Sequence, residues 1–123
     1  MFTGIEHTAI ASPDPERLAQ WYVEHLEFTV NYRYDANVFV KAADGSMLEM
    51  IPSEGPRAQQ TAKAPGLRHL AIEVDDFDAA CRSLEAKGVK FFEPPREVQG
   101  NRMVFFDDAD GNIVHLIHRR RPI

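Results

Sequence analysis

An internal repeat runs through most of this 123-residue sequence and limits the folds open to it. Residues 4–10 read G-aliphatic-x-H-x-A-I, and the same pattern returns at 66–72, so that His7 corresponds to His69. A second pair of segments, 44–51 and 110–117, begins with Asp-Gly and ends with a polar residue and two aliphatic residues. In that pair Glu49 corresponds to His115. Two matches in the same order, at nearly equal offsets, indicate a duplicated structural unit.

Each copy predicts the same order of elements: a strand, a helix and then three strands. In the first copy, a strand over 5–11 precedes Asp14, an N-cap residue, and Pro15 at the first helical position. In the second copy, a strand over 67–74 precedes Asp76, which is also predicted to be an N-cap residue. Apolar residues at helical spacing follow both caps. The three later strands are predicted at 28–34, 38–42 and 47–51 in the first copy, and at 89–92, 103–106 and 113–117 in the second.

A module of this size buries little apolar surface alone, so the two modules are expected to pair their sheets around a shared core. We therefore predict an α+β fold in which two βαβββ modules form a cupped, barrel-like mixed sheet with the helices outside. The chain is then a single domain, residues 1–123, with module one at 1–53 and module two at 66–123. A polar, proline-containing linker at 52–65 joins them.

Composition and charge narrow the functional classes. Fourteen Lys and Arg against nineteen Asp and Glu give a formal charge of −5, which argues against nucleic acid and against an anionic membrane surface as partners. The single cysteine, Cys81, cannot form a disulfide within the chain, and neither a signal peptide nor a membrane-spanning apolar run is visible. We therefore expect a cytoplasmic protein that acts on a small molecule.

Strand parity separates the polar residues of the repeat from the bulky apolar ones. In both copies the histidine of the first strand shares a face with small alanines, opposite the aliphatic residues that suit a helix. The polar residue of each last strand also points away from the helix side. Four side chains are thus expected to converge on the concave side of the sheet: His7, Glu49, His69 and His115. A divalent cation that accepts their lone pairs would remove the cost of burying them unpartnered, so we predict a metal site.

These motifs resemble those of the vicinal oxygen chelate superfamily, which includes glyoxalase I, fosfomycin-resistance proteins, extradiol dioxygenases, methylmalonyl-CoA epimerase and bleomycin-binding proteins. The resemblance is carried by I-E-H-T-A-I at 5–10, L-E-M-I at 48–51, L-R-H-L-A-I at 67–72 and the run around D-G-N at 105–116. It places His7, Glu49 and His69 where glyoxalase I-like proteins hold their metal. The fourth position departs from the pattern, because the family usually has glutamate where this chain has His115. Members complete the site within one chain or across a dimer, and we expect a homodimer.

The resemblance implies a metal-dependent lyase or isomerase of the glyoxalase type, whose small substrate chelates the metal through adjacent oxygens. Because His115 replaces the usual carboxylate, Glu49 is the expected catalytic base, with Glu73 as a weaker candidate. Three imidazoles and one carboxylate suit one divalent ion per site: nickel, cobalt, zinc, iron or manganese. Two alternatives stay open. One is a non-haem iron extradiol-type dioxygenase, and the other is a non-catalytic protein that binds a small molecule or drug.

Other conspicuous side chains are expected to be structural. His25 and His118 are predicted to lie outside the metal site, while Trp21, Tyr22 and Cys81 fit the apolar stripes of the two helices. For five more residues, lining of a ligand pocket and ordinary sheet packing are both open: Tyr32, Tyr34, Phe39, Arg102 and Phe105.

Overall fold

The computed structural model describes residues 1–59 and 61–123, which divide into two compact units, Met1–Arg57 and Ala58–Ile123. Unit 1 contains β1 (His7–Ser12), α1 (Pro15–Leu26), β2 (Thr29–Tyr34), β3 (Asn37–Lys41) and β4 (Met47–Pro52). The strands form one sheet in the order β1-β4-β3-β2. The first strand runs parallel to β4, and the other neighbours are antiparallel.

Unit 2 repeats this arrangement with β5 (His69–Glu73), α2 (Phe77–Ala86), β6 (Arg96–Val98), β7 (Asn101–Asp107) and β8 (Ile113–His118). Its sheet order is β5-β8-β7-β6, again with one parallel pair, between β5 and β8. The predicted α+β class is therefore confirmed, with two βαβββ modules that each form a four-stranded mixed sheet with one helix. No helix among residues 1–59 and 61–123 is both long enough and apolar enough to cross a membrane.

Both helices begin at the predicted caps. The Asp14 carboxylate accepts a hydrogen bond from the Arg17 backbone N–H at 3.1 Å, and Pro15 occupies the first turn. The Asp76 carboxylate accepts from the Ala79 backbone N–H at 3.0 Å. Each aspartate satisfies a backbone donor that has no partner within the helix, so the local sequence determines where both helices start.

Each helix covers one face of its own sheet. The alternation is clear in β3, where Val38 and Val40 are buried and Phe39 between them is half-buried on the other face. The apolar core of unit 1 includes Leu18, Tyr22, Val38, Val40, Leu48 and Met50, and that of unit 2 includes Phe77, Cys81, Leu84, Val104, Phe106, Val114 and Leu116. The opposite face of each sheet is left for the predicted ligands.

The strand predicted at 89–92 is wrong. Only Phe91 makes an isolated bridge, to Phe106, and the edge strand of this sheet is instead β6, Arg96–Val98. The Phe91 ring packs on the Phe106 ring at a centroid distance of 6.2 Å, so the apolar signal of this segment reflects core packing. Two prolines at 94–95 then interrupt pairing because proline has no backbone N–H to donate. The ladder with β7 therefore resumes after them.

Candidate metal centre

In unit 1 the structure brings His7 and Glu49 together. Parallel pairing of β1 with β4 sets Ala9 opposite Glu49, and His7 lies two residues before Ala9 on the same face. His7 Nε2 is 3.5 Å from Glu49 Oε1. The His7 side chain is half-exposed, whereas Glu49 is buried. Strand register therefore pairs an imidazole nitrogen with a carboxylate oxygen on the face of the sheet away from α1.

The contact of the second ring nitrogen of His7 shows which nitrogen carries the hydrogen when the ring is neutral. His7 Nδ1 lies 2.8 Å from Glu6 Oε1, and a carboxylate oxygen can only accept, so Nδ1 donates. In the neutral ring Nε2 then carries a lone pair and faces the carboxylate oxygen of Glu49. Two acceptors in this position repel unless a proton or a cation lies between them. A ligating histidine usually donates its other ring N–H to a carboxylate or carbonyl, which is what Glu6 provides.

The two oxygens of Glu49 have different surroundings. Oε2 accepts hydrogen bonds from the Tyr34 hydroxyl at 3.0 Å and from Asn37 Nδ2 at 3.1 Å, while Oε1 faces His7. Asn37 is not among the site residues predicted from the sequence. Parity was the available signal, because Asn37 shares a face with Phe39, opposite Val38 and Val40.

In unit 2 the corresponding pair is His69 and His115. Pairing of β5 with β8 sets Ala71 opposite His115, and the two imidazole rings lie 4.7 Å apart, edge to face. His115 Nδ1 donates to the Leu116 carbonyl oxygen at 3.2 Å, which leaves Nε2 as the acceptor nitrogen of the neutral ring. Burial lowers the pKa of His115 below its ordinary value, and nearby His69 lowers it further. His115 therefore favours the neutral form, which binds metals.

The lowered pKa of His115 predicts how the stability of the metal-free protein depends on pH. Because the native pKa lies below that of the unfolded chain, the unfolded state binds more protons as pH falls through the imidazole range. The contribution of His115 to the free energy of unfolding is therefore fully present at higher pH, and it is lost as the pH falls. We expect urea unfolding in the presence of a chelator, from pH 8 to pH 5.5, to show a larger loss of unfolding free energy in wild type than in His115→Gln. Equal losses in the two proteins would contradict the assignment.

A phenylalanine accompanies each pair at the same place. Phe39 lies opposite Glu49, and Phe105 lies opposite His115. The Phe39 ring meets His7 edge-on at 5.3 Å, whereas Phe105 stacks on His115 at 4.4 Å. The duplicated units therefore share a histidine, a phenylalanine and a second polar side chain on the face away from the helix.

Of the five residues for which pocket lining was open, Arg102 does not lie on this face. Its guanidinium binds Asp78 at 2.8 Å and lies 4.6 Å from the centre of the Phe77 ring, so it packs against α2. The reason is parity, because Arg102 shares a side of β7 with the buried Val104 and Phe106. Tyr32 and Tyr34 lie with Phe39 in one aromatic cluster, with ring centroids 5.8 to 6.4 Å apart.

The remaining histidines and the cysteine lie outside the two pairs. His25 stacks on Trp21 at 4.5 Å, and its Nδ1 bonds the Trp21 carbonyl oxygen. His118 Nδ1 bonds the Val74 carbonyl oxygen at 2.8 Å. Cys81 is buried in the core of unit 2, and burial raises the pKa of its thiol. In neither unit do the described residues gather three or more metal-ligating side chains into one cluster.

Comparisons with known proteins extend over both units. A family model described as the Glyoxalase/Bleomycin resistance protein/Dioxygenase superfamily matches residues 4–116, which include all four predicted ligands. The uncharacterized protein YwkD of Bacillus subtilis is 34% identical, covering 89% of this chain and 92% of its own. A probable lactoylglutathione lyase of Vibrio cholerae is 26% identical, and the match covers 95% of this chain and 91% of that protein. The crystal structure of a glyoxalase family protein from Enterococcus faecalis superposes with a TM-score of 0.76 at 32% identity, over 94% of this chain and 98% of that one.

Proposed function

This chain belongs to the Glyoxalase/Bleomycin resistance protein/Dioxygenase superfamily, and on that premise we propose that it is a metal-dependent lyase or isomerase of the glyoxalase type. Its substrate is a small molecule that offers the metal two neighbouring oxygens. The proposed ligands are His7, Glu49, His69 and His115. One pair from each unit supplies a single divalent ion, either within one chain or between the two chains of a homodimer.

The observation that carries the proposal is the contact between His7 Nε2 and Glu49 Oε1 at 3.5 Å, with His7 Nδ1 already committed to Glu6. With a neutral His7 ring, a divalent cation between the two acceptors would replace their repulsion by attraction to both. The second pair fits the same group, because His115 is held as a neutral ring with Nε2 as its acceptor. Imidazole and carboxylate donors suit nickel, cobalt, zinc, iron or manganese.

A bound divalent ion would supply positive charge that stabilises the negative charge developing on the two substrate oxygens. The proton is moved by the chain itself. Glu49 is the only carboxylate among the four proposed ligands, so its Oε1, released from the ion for this step, would take a proton from the carbon that bears the hydroxyl and return it to the carbonyl carbon. The hydroxyl proton passes to the former carbonyl oxygen, so one O–H bond breaks and another forms. One C–H bond breaks and another forms, which is an isomerisation. Glu73 is exposed, on the same side of β5 as His69, and is the weaker candidate for the base.

Metal content tests this proposal before any substrate is known. We expect protein purified without a histidine tag to carry about one divalent ion per site, and a chelator to remove it together with any activity. Elemental analysis should show loss of metal in His7→Ala and His69→Ala. His25→Ala is the matched control, since His25 stacks on Trp21 away from both pairs, and it should keep its metal. Wild-type protein that binds none of the five candidate metals would refute the proposal.

Activity is then sought with 2-hydroxyketones and thiol adducts of 2-oxoaldehydes, which carry two neighbouring oxygens. The dioxygenase alternative uses two histidines and Glu49 as a triad for ferrous iron, and oxygen uptake with catechols distinguishes it.

The non-catalytic alternative is favoured by one observation: Tyr32 and Tyr34 are 57% and 46% exposed beside Phe39, and exposed aromatic rings can stack on a flat ligand. Tight binding of such a ligand by metal-free His69→Ala would support that alternative.

A further inference from the structure

Both residues that donate hydrogen bonds to Glu49 lie in one short hairpin. Tyr34 ends β2 and Asn37 begins β3, and the two residues pair across a two-residue turn in which Asp35 has a φ of 50°. Their side chains lie on the same face as Phe39, away from α1. The Tyr34 ring also packs against Tyr32 at 6.0 Å and Phe39 at 6.4 Å, which restrains the direction of its hydroxyl.

The two donors act on one oxygen only. Tyr34 and Asn37 both bond Oε2 of Glu49, at 3.0 and 3.1 Å, whereas Oε1 faces His7 Nε2. A carboxylate without such restraint can rotate and bind a metal ion through one oxygen or through both. Two donors on Oε2 oppose this rotation, because turning the group would break both hydrogen bonds within a buried setting.

The second unit lacks this arrangement at the matching place. Two residues before Phe105, where unit 1 has Asn37 two residues before Phe39, the chain has Met103, and the cross-strand partner of Met103 is the exposed Arg96. At these two positions, unit 2 therefore has no counterpart of the Tyr34 hydroxyl or of the Asn37 amide. The residue of unit 2 that matches Glu49 is His115, whose ring is oriented by the Leu116 carbonyl instead.

From these contacts we infer that Tyr34 and Asn37 are positioning residues that hold Glu49 by Oε2 and present Oε1 alone to the metal ion. The inference rests on the proposed function, because it requires Glu49 to be a metal ligand. It explains why the pair of donors accompanies the carboxylate of unit 1 and not the imidazole of unit 2.

Tyr34→Phe and Asn37→Ala test the inference, with Tyr32→Phe as the matched control. Tyr32→Phe removes a hydroxyl from the same aromatic cluster without removing a donor to Glu49. We expect calorimetric titration with Zn²⁺ to show about 10- to 100-fold weaker binding for Tyr34→Phe and for Asn37→Ala, and unchanged binding for Tyr32→Phe. The visible absorption of bound Co²⁺ should change in the first two variants, because it depends on coordination number and geometry.

The outcomes separate the two proposals. Zn²⁺ affinity and a Co²⁺ spectrum that are the same in Tyr34→Phe, Asn37→Ala and wild type would overturn the positioning role and leave the metal site standing. A lower melting temperature in these variants, with no change in Zn²⁺ affinity or in the Co²⁺ spectrum, would also overturn the positioning role. The two residues would then only provide hydrogen bonds to a buried carboxylate. Wild-type protein that binds neither ion would overturn both proposals. Tyr34→Phe keeps the ring, so a folded variant is expected and circular dichroism checks it.

Discussion

Replacing Glu49 by glutamine is expected to lower turnover by about 10³-fold, because the substitution keeps the shape of the side chain and removes the basic oxygen. The buried carboxylate is the one proposed ligand able to accept a proton from carbon. Metal binding should fall much less than turnover, since the amide oxygen of glutamine can still bind the ion beside the three imidazoles. The measurement is kcat with the substrate found in the activity screen, together with metal content by elemental analysis.

Glu73→Gln is the control for this prediction, because it removes the weaker candidate for the base from an exposed position in β5. It should retain most of the wild-type turnover. If Glu49→Gln stays active while Glu73→Gln does not, the base is Glu73 and our assignment is wrong. If Glu49→Gln loses metal as completely as turnover, Glu49 serves as a ligand and its role as a base is unsupported.

Phe106→Ala is expected to lower the free energy of unfolding by about 3–5 kcal/mol, which is a large part of the stability of a typical domain. Phe106 is completely buried, contacts the Phe91 ring and lies in β7 opposite Val114. Truncation removes apolar burial and leaves a cavity, because neighbours in a sheet can close the gap only in part. Urea unfolding followed by circular dichroism measures the effect.

The adjacent Phe105 offers a matched comparison. It carries the same side chain in the same strand, but it points to the other face and is only half-buried. We expect Phe105→Ala to cost clearly less stability than Phe106→Ala and to disturb His115, on which its ring stacks. Equal losses of stability would show that burial on the helix side is not what makes Phe106 important.

The face of the sheet on which the proposed ligands lie could be anticipated, because strand parity depends only on neighbouring residues. Two positions show where this reasoning stops. Parity was not applied to Arg102, although it places that residue with Val104 on the helix side, where it binds Asp78. Apolar composition predicted a strand at 89–92, but Phe91 contributes its ring to the core and the prolines displace the edge strand to Arg96–Val98.

Local sequence was sufficient for the element order, the helix caps at Asp14 and Asp76, and the face on which His7 and His69 lie. These features depend on residues that are near neighbours in the chain. Tertiary structure alone decided which oxygen of Glu49 faces His7, because Tyr34 and Asn37 are 15 and 12 residues away in sequence. Their donors reach that carboxylate only through the register of three strands and the rotamers of the side chains, which no short-range pattern encodes.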